Sequence, residues 1–393
     1  MAEASRARAA PLHCGLPDEI SIWEILVRLP PKALLRCRAV CRGWRQATST
    51  RDFLLAHHGH QPALPLLYED NFSSPSIDII PLDHRANADN LHSVARLGYF
   101  SETYMHLQAS CDGLLILTTE SDSCFSAPFH FSVCNPATCQ YAPLPLLRGF
   151  GLAGMYPHTP TGEYRLLLYP DAMVMYDDRP PGAQDACYVY ALGSCQPPRH
   201  IGWPEVELAI HAIVPALFRG SLHWHIERDE YKSNMIMVFD TTTELFRQMH
   251  APAVPGSADL FVMDGVLGMA GFSGGTIDVW TTQDYDSEVW AFKYRVELPI
   301  AELTLRFGFS KYYSDVVVSS WDDDVLILVK SGEWLLQIDI GGKLVASFHR
   351  KSIRTTQFCL KQTLVQHTFF PTIEGYVVNT WPFMALDDSV VNT

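Results

Sequence analysis

At Pro62 the hydrophobic pattern of the chain changes period, and this break constrains the fold more than any other feature. Before it, apolar residues recur at helical spacing. After it, they come in short β-rich runs between turn residues. At 393 residues the chain exceeds one ordinary core, so the break separates a small helical part from a large β part.

Between Leu16 and His58 the pattern is helical. Pro17 suits a first helical position, and Asp18 and Glu19 place negative charge where the exposed amides favour it. Ile20, Trp23, Leu26 and Val27 then share one face at 3.6-residue spacing. Pro30 and Pro31 stop that helix, and Pro31 opens the next, with Leu34 and Leu35 on its apolar side. A third segment carries Val40, Cys41 and Trp44, and Phe53 and Leu54 mark a last short turn. Helices of about ten residues are marginal alone, and a unit this small buries little surface. Its apolar residues outnumber what such helices bury among themselves, which points to a docking surface.

The same residues carry a family resemblance. The segment Leu16 to Trp44, LPDEISIWEILVRLPPKALLRCRAVCRGW, resembles the F-box in its order of Leu-Pro, amphipathic helix, Leu-Pro-Pro, Leu-Leu-Arg and Val-Cys-x-x-Trp. The resemblance implies that Leu16, Pro17, Ile20, Leu29, Pro30, Leu34, Val40 and Cys41 contact a Skp-type adaptor. Leu26, Leu35 and Trp44 would divide between that interface and the internal core. Cullin and RING subunits would be reached through the adaptor.

Beyond Pro62 the clear strand runs are Leu114 to Leu117, Arg165 to Tyr169, Ser221 to Ile226, Met235 to Phe239, Val266 to Met269, Thr276 to Trp280, Val325 to Val329 and Tyr376 to Asn379. Asp112-Gly113, Asp264-Gly265 and Ser331-Gly332 read as hairpin turns. Such runs fit a sandwich, a barrel or a propeller. Turn positions ahead of strongly apolar strands recur at Gly113, Gly162, Gly220, Gly265, Asp324 and Gly375, with steps of 49, 58, 45, 59 and 51 residues. These lie near the roughly 40 to 50 residues of propeller blades. The predicted fold is therefore a small all-α domain followed by an all-β domain, a β-propeller of six to eight blades whose neighbouring blades cover each other's apolar faces.

A second resemblance lies in this part. Ser110-Cys111-Asp112-Gly113-Leu114-Leu115, Cys134-Asn135-Pro136-Ala137-Thr138, Gly220-Ser221-Leu222-His223-Trp224 and Phe239-Asp240 look like landmarks of the F-box-associated domain of plant F-box proteins. As framework, Asp112-Gly113 reads as a turn, Asn135-Pro136 as a turn initiator and Trp224 as a packing aromatic. The expected organisation is a disordered segment over 1–13, an F-box over 14–60, an F-box-associated propeller-like domain over 61–388 and a tail over 389–393.

Charge narrows the partners. Residues 1–60 hold nine Lys or Arg against five Asp or Glu, a net of +4, so the remaining 333 residues of a chain at −14 carry −18. A surface so acidic repels a phosphate backbone, and nucleic acid is not an expected partner. The ten cysteines form no paired framework or zinc spacing and read as free, mostly buried thiols of a reducing compartment. No secretory h-region or membrane-length apolar run stands out, so the expected location is cytoplasmic or nuclear, with no membrane partner.

Gly271-Phe272-Ser273-Gly274-Gly275 satisfies G-x-S-x-G, but a strand pattern follows where a hydrolase needs a helix, so a glycine-rich β-turn is expected. His57, His58 and His60 read as solvated, and His223 and His225 alternate with Trp224 on a strand, neither set having metal-site partners. Asp177-Asp178 and Asp322-Asp323-Asp324 read as solvated turns without a calcium-loop spacing. The sequence thus predicts no catalytic residue, metal or cofactor. It predicts a substrate-recognition adaptor of a Skp–cullin–F-box ubiquitin ligase, binding an unidentified substrate protein through the β domain. The alternatives are a propeller enzyme or carbohydrate-binding domain carrying a degenerate F-box, and an F-box protein without ligase activity.

Overall fold

The computed structural model describes residues 18–71, 75–82, 91–100, 103–121, 130–170, 186–202, 214–226, 235–254, 257–310, 315–321, 324–370 and 381–386. The chain forms two compact units that divide between Gln61 and Pro62, with Thr363–Val365 grouped with the first.

The first unit is helical. Its opening segment is not the regular helix that the spacing predicts: a short α1 (Asp18–Ile20) runs into a wide π turn (Ser21–Ile25) and then a tight 3-10 turn (Leu26–Arg28). The changing pitch breaks the expected common face. Leu26 and Val27 are buried, whereas Ile20 and Trp23 are exposed. Leu29 and Pro30 are extended, and Pro31 opens α2 (Pro31–Cys37) at its first position, as predicted. Cys41 caps α3 (Arg42–Ala47), its sulfur accepting the Trp44 amide at 3.3 Å. The predicted last short turn is instead a full helix, α4 (Arg51–His60), because Thr50 supplies an N-cap to the Phe53 amide at 3.4 Å. Leu34, Phe53 and His57 have no exposed surface. His57, expected to be solvated, is therefore part of this core. Its Nε2 lies 2.8 Å from the Leu29 carbonyl, which also accepts from the Gln61 amide at 3.1 Å, and burial lowers its pKa so that the ring stays neutral.

The second unit is a ring of six antiparallel sheets, a six-bladed β-propeller. Five blades are consecutive four-stranded meanders, spanning 103–143, 150–202, 216–250, 257–297 and 315–349; we number them one to five. The sixth combines Ile353–Lys361 with Ala63–Asn71, Ser76–Pro81, Ala95–Gly98 and Phe383–Met384. Sequence-distant segments thus close the ring by pairing in one sheet, Leu64 lying opposite Leu360.

The sequence repeat maps onto this architecture. Gly113, Gly162, Gly220 and Gly265 each lie between the first and second strands of blades one to four, and Asp324 opens the second strand of blade five. Gly375 and the predicted strand Tyr376 to Asn379 lie outside the described residues. Asp112 and Gly113 have φ of 48° and 85°, and Asp264 and Gly265 of 51° and 68°, the left-handed pairs that a twisted hairpin requires. In blade five Ser331 pairs with Trp334, so the two-residue turn there is Gly332-Glu333, one residue later than predicted.

Apolar clusters lie between blades. One joins blades one and two through Val133, Leu166 and Leu168, another joins two and three through Leu167 and Phe239, and another joins three and four through Val238 and Met269. Blades four and five share Val279 and Ile327, five and six share Leu328 and Leu67, and six and one share Leu97 and Leu115. Each fully buried aliphatic side chain contributes about 1.5–3 kcal/mol, so the ring is held by faces that no single blade buries alone. Trp224, 1% exposed, shows the pattern: it packs between blades two and three, and its indole donates to the Ala153 carbonyl at 3.2 Å.

Candidate docking surfaces

On the helical unit, the residues that the F-box resemblance assigns to an adaptor fall into three groups. Ile20, Pro30, Val40 and Cys41 are exposed, Leu29, Leu35 and Trp44 are half-buried, and Leu26 and Leu34 are buried. Leu16 and Pro17 lie outside the described residues. Val40 is 68% exposed, on a turn held from behind by Arg38, whose Nε donates to the Thr48 hydroxyl at 3.1 Å while that hydroxyl donates to the Trp44 carbonyl at 2.7 Å. Sequence periodicity assigned Trp23 to the core face and did not single out Ile25. Both are more than two-fifths exposed, although the Trp23 ring still reaches Phe53 at 5.5 Å between centroids. The π turn that rotates them outward leaves no signature in an apolar pattern. With Ile20 and Val40 they put four large apolar side chains in contact with solvent, an arrangement suited to association by burial.

On the propeller, the sequence-derived chemical candidates resolve into framework. Ser273 pairs with Thr276 across Gly274 and Gly275, whose φ values of 60° and 97° make the motif a hairpin turn, as predicted. His223 has no exposed surface; its Nε2 meets the Tyr285 hydroxyl at 2.7 Å, and burial pushes its pKa down to about 4. His225 is likewise buried and lowered in pKa. Asn135 is buried and accepts the Ala137 amide at 3.0 Å, the expected turn initiator. Asp177, Asp178, Asp322 and Asp323 lie outside the described residues. Among the described residues no three His, Cys, Asp or Glu side chains gather as a metal site. The eight described cysteines form no disulfide, as expected: Cys111, Cys134 and Cys187 are buried, Cys37, Cys139 and Cys359 are half-buried, and only Cys41 and Cys195 are exposed. Cys41 and Cys195 sit in connections between elements.

Around the axis, polar groups of the first strands bond one another. The Ser110 hydroxyl of blade one donates to the Cys359 carbonyl of blade six at 2.6 Å, and Asp259 of blade four bonds Gln357 of blade six. Burial raises the Asp259 carboxyl pKa to about 6, the Gln357 bond opposing it, and burial also raises the Cys359 thiol, which keeps it protonated and unreactive. A concave site of about 420 Å³ lies where blades five and six meet, lined by Tyr68, Lys330, Ile353 and the flanking Lys351, Ser352, Arg354 and Thr355. Neither Ser273 nor the two histidines line it.

Comparison with known proteins fits both units. A model of the F-box associated beta propeller domain matches residues 72–313, and an F-box-like model matches residues 13–58. The first spans more than half of the chain, which therefore belongs to the F-box-associated β-propeller family, with an F-box-like segment ahead of the propeller. Its relatives are Arabidopsis thaliana F-box proteins. F-box protein At5g49610 is 24% identical over 70% of this chain and 77% of its own length. F-box protein CPR1 is 23% identical over 86% and 84%, and putative F-box/kelch-repeat protein At3g22730 is 24% identical over 71% and 76%. Among solved structures, one from a nidogen/laminin complex aligns with a TM-score of 0.44 at 12% identity, over 75% of this chain and 99% of that one. No helix among the described residues is long and apolar enough to cross a membrane.

Proposed function

We propose that this protein is the substrate-recognition subunit of a Skp–cullin–F-box ubiquitin ligase. The helical unit docks on a Skp-type adaptor, which links it to the cullin and RING subunits, and the propeller presents a substrate protein. The observation that carries the reading is the set of solvent-exposed apolar side chains Ile20, Trp23, Ile25 and Val40 on an F-box-like unit. Ile20, Pro30, Val40 and Cys41, with Leu29 and Trp44, make up the proposed adaptor surface among the described residues, and the F-box resemblance adds Leu16 and Pro17, which lie outside them. Leu26 and Leu34 act beneath it as support, and Leu35 serves both roles.

No residue of this chain takes part in the chemistry under this reading. Ubiquitin transfer is accelerated by tethering, because holding the acceptor lysine beside the charged conjugating enzyme replaces a bimolecular encounter by an intramolecular one. The burial of His223 and His225 and the hairpin geometry of Ser273 favour this over a propeller hydrolase built on those residues. The test is recovery of cullin and RING subunits with the tagged full chain from cells. They are expected with the wild type and lost from a Leu29→Ala/Pro30→Ala variant. Equal recovery with both would overturn the assignment.

A further inference from the structure

At its outer edge, blade six carries large apolar side chains that the fold holds in place without burying. Phe383 and Met384 form the outermost strand, lying opposite Leu97 and Arg96. Phe383 turns inward, 4% exposed, into the cluster shared with blade one. Trp381 and Met384 are 58% and 39% exposed, and Phe100, just past the neighbouring strand, is 69% exposed. The Phe100 and Trp381 rings lie 5.2 Å apart between centroids, tilted by 39°. Gly98 positions this group. Its amide donates to the Pro382 carbonyl at 2.7 Å. A Cβ at that position would lie 2.8 Å from the Met384 sulfur and 3.1 Å from the Trp381 ring. The missing side chain thus makes the floor on which the indole and the thioether rest. An exposed tryptophan seated on that floor, with a phenylalanine beside it, is already ordered for contact.

Charge identifies what fits these ring faces. The two stretches that supply the group, residues 97–147 and 362–393, contain no Lys or Arg and hold four and three Asp or Glu, a net of −7. The adjacent Arg96 is engaged by Asp78, its guanidinium donating to both carboxylate oxygens at 2.7 and 2.9 Å. A second copy of this chain would bring the same negative charge to the contact, and a nucleic acid or anionic lipid surface would be repelled likewise. A cation is attracted twice, by the acidic stretches and by the negative faces of the two rings, indole being the best such acceptor.

We propose that the outer edge of blade six binds a basic segment of the substrate protein, an arginine or lysine head group lying over the Trp381 and Phe100 rings with its aliphatic stem on Met384. The inference rests on the propeller being the substrate-binding part of the proposed ligase, and it names the place and the chemistry of recognition.

The test measures retention, by the immobilised full chain, of a degenerate peptide pool with a fixed Arg-x-Arg centre and of the same pool with Gln-x-Gln. Wild type is expected to retain the arginine pool about tenfold better or more. Phe100→Leu/Trp381→Leu, which keeps apolar side chains and every charge while removing the rings, is expected to lose that preference while melting as wild type does. Gly98→Ala, which displaces the rings without altering them, is expected to weaken it. Leu305→Ala, 87% exposed between blades four and five, is expected to keep it. Equal retention of both pools by wild type would overturn the proposal. So would an undiminished preference in Phe100→Leu/Trp381→Leu, since bulk acidity would then suffice, or an equal loss in Leu305→Ala. Sedimentation showing a wild-type dimer that the double variant dissolves would also overturn it, by assigning the edge to a second copy. Adaptor binding, measured in parallel, is expected to be the same in all variants. Its absence from wild type would count against the ligase reading alone.

Discussion

Replacing Glu244 by glutamine is expected to cost the propeller about 2–3 kcal/mol, because one carboxylate there ties two blades together. Glu244 is 9% exposed in the connection between the third and fourth strands of blade three, in a left-handed conformation with φ of 58°. Its carboxylate accepts from the Tyr156 hydroxyl at 2.9 Å and from Arg165 at 2.6 Å, both in blade two, and from the more exposed Arg199. Burial raises its pKa, but the Arg165, Tyr156 and Arg199 bonds outweigh that and hold it below the usual carboxylate range. A hydrogen bond to a charged group is worth about 1.5–3 kcal/mol, and losing the charge leaves Arg165 without its buried partner while two neutral contacts persist. With an unfolding entropy near 0.6 kcal/mol/K for roughly 300 residues, this corresponds to about 4 °C in Tm. The depressed pKa means that the contribution is complete above the unfolded value of about 4.3 and is lost as pH falls through the folded value. Differential scanning calorimetry at neutral pH and near pH 3 is the assay. An unchanged Tm at neutral pH, or a loss just as large at pH 3, would refute the reasoning.

Other expectations follow from single contacts. Trp224→Ala should cost about 3–5 kcal/mol by opening a cavity between blades two and three, measured by denaturant unfolding. His223, lowered to about 4 by burial, should make stability fall as pH drops from 6.5 towards 4, at up to about 1.4 kcal/mol per pH unit, and His223→Gln should flatten that slope in thermal melts. Asp259→Asn should stabilise by about 1–2 kcal/mol at pH 7.5, where the raised carboxyl must ionise, and have no effect near pH 4, where it is already neutral.

The blade repeat was legible because the first-to-second-strand turns of blades one to four use left-handed backbone, which favours glycine, while their second strands are largely buried and read as continuous apolar runs such as Leu114 to Leu117. Blade number was not legible, because the closing blade takes strands from sequence-distant segments and has no turn at that position. The helix stops at Pro30 and Pro31 were readable from covalent geometry. The π turn before them was not, and with it went the placement of Trp23 and Ile25, since a change of pitch alters which face a residue occupies without altering composition. His57 was misread for a related reason: its partners, the Leu29 carbonyl and Gln61, meet it only once α4 folds back on the preceding link. The basic site between blades five and six assembles Tyr68 with Lys330 and the segment 351–355, a sequence separation that no local motif records.

The most direct test of the central claim is calorimetric titration of the full chain with a Skp-type adaptor, comparing wild type with Ile20→Asp/Val40→Asp. Both positions are exposed, so the variant should fold as the wild type does. If each contact is worth about 2 kcal/mol and the two add, the affinity falls by roughly 1,000-fold. Tight wild-type binding with that loss is the predicted result. A folded wild type that does not bind the adaptor, or a variant that binds equally well, would contradict the account.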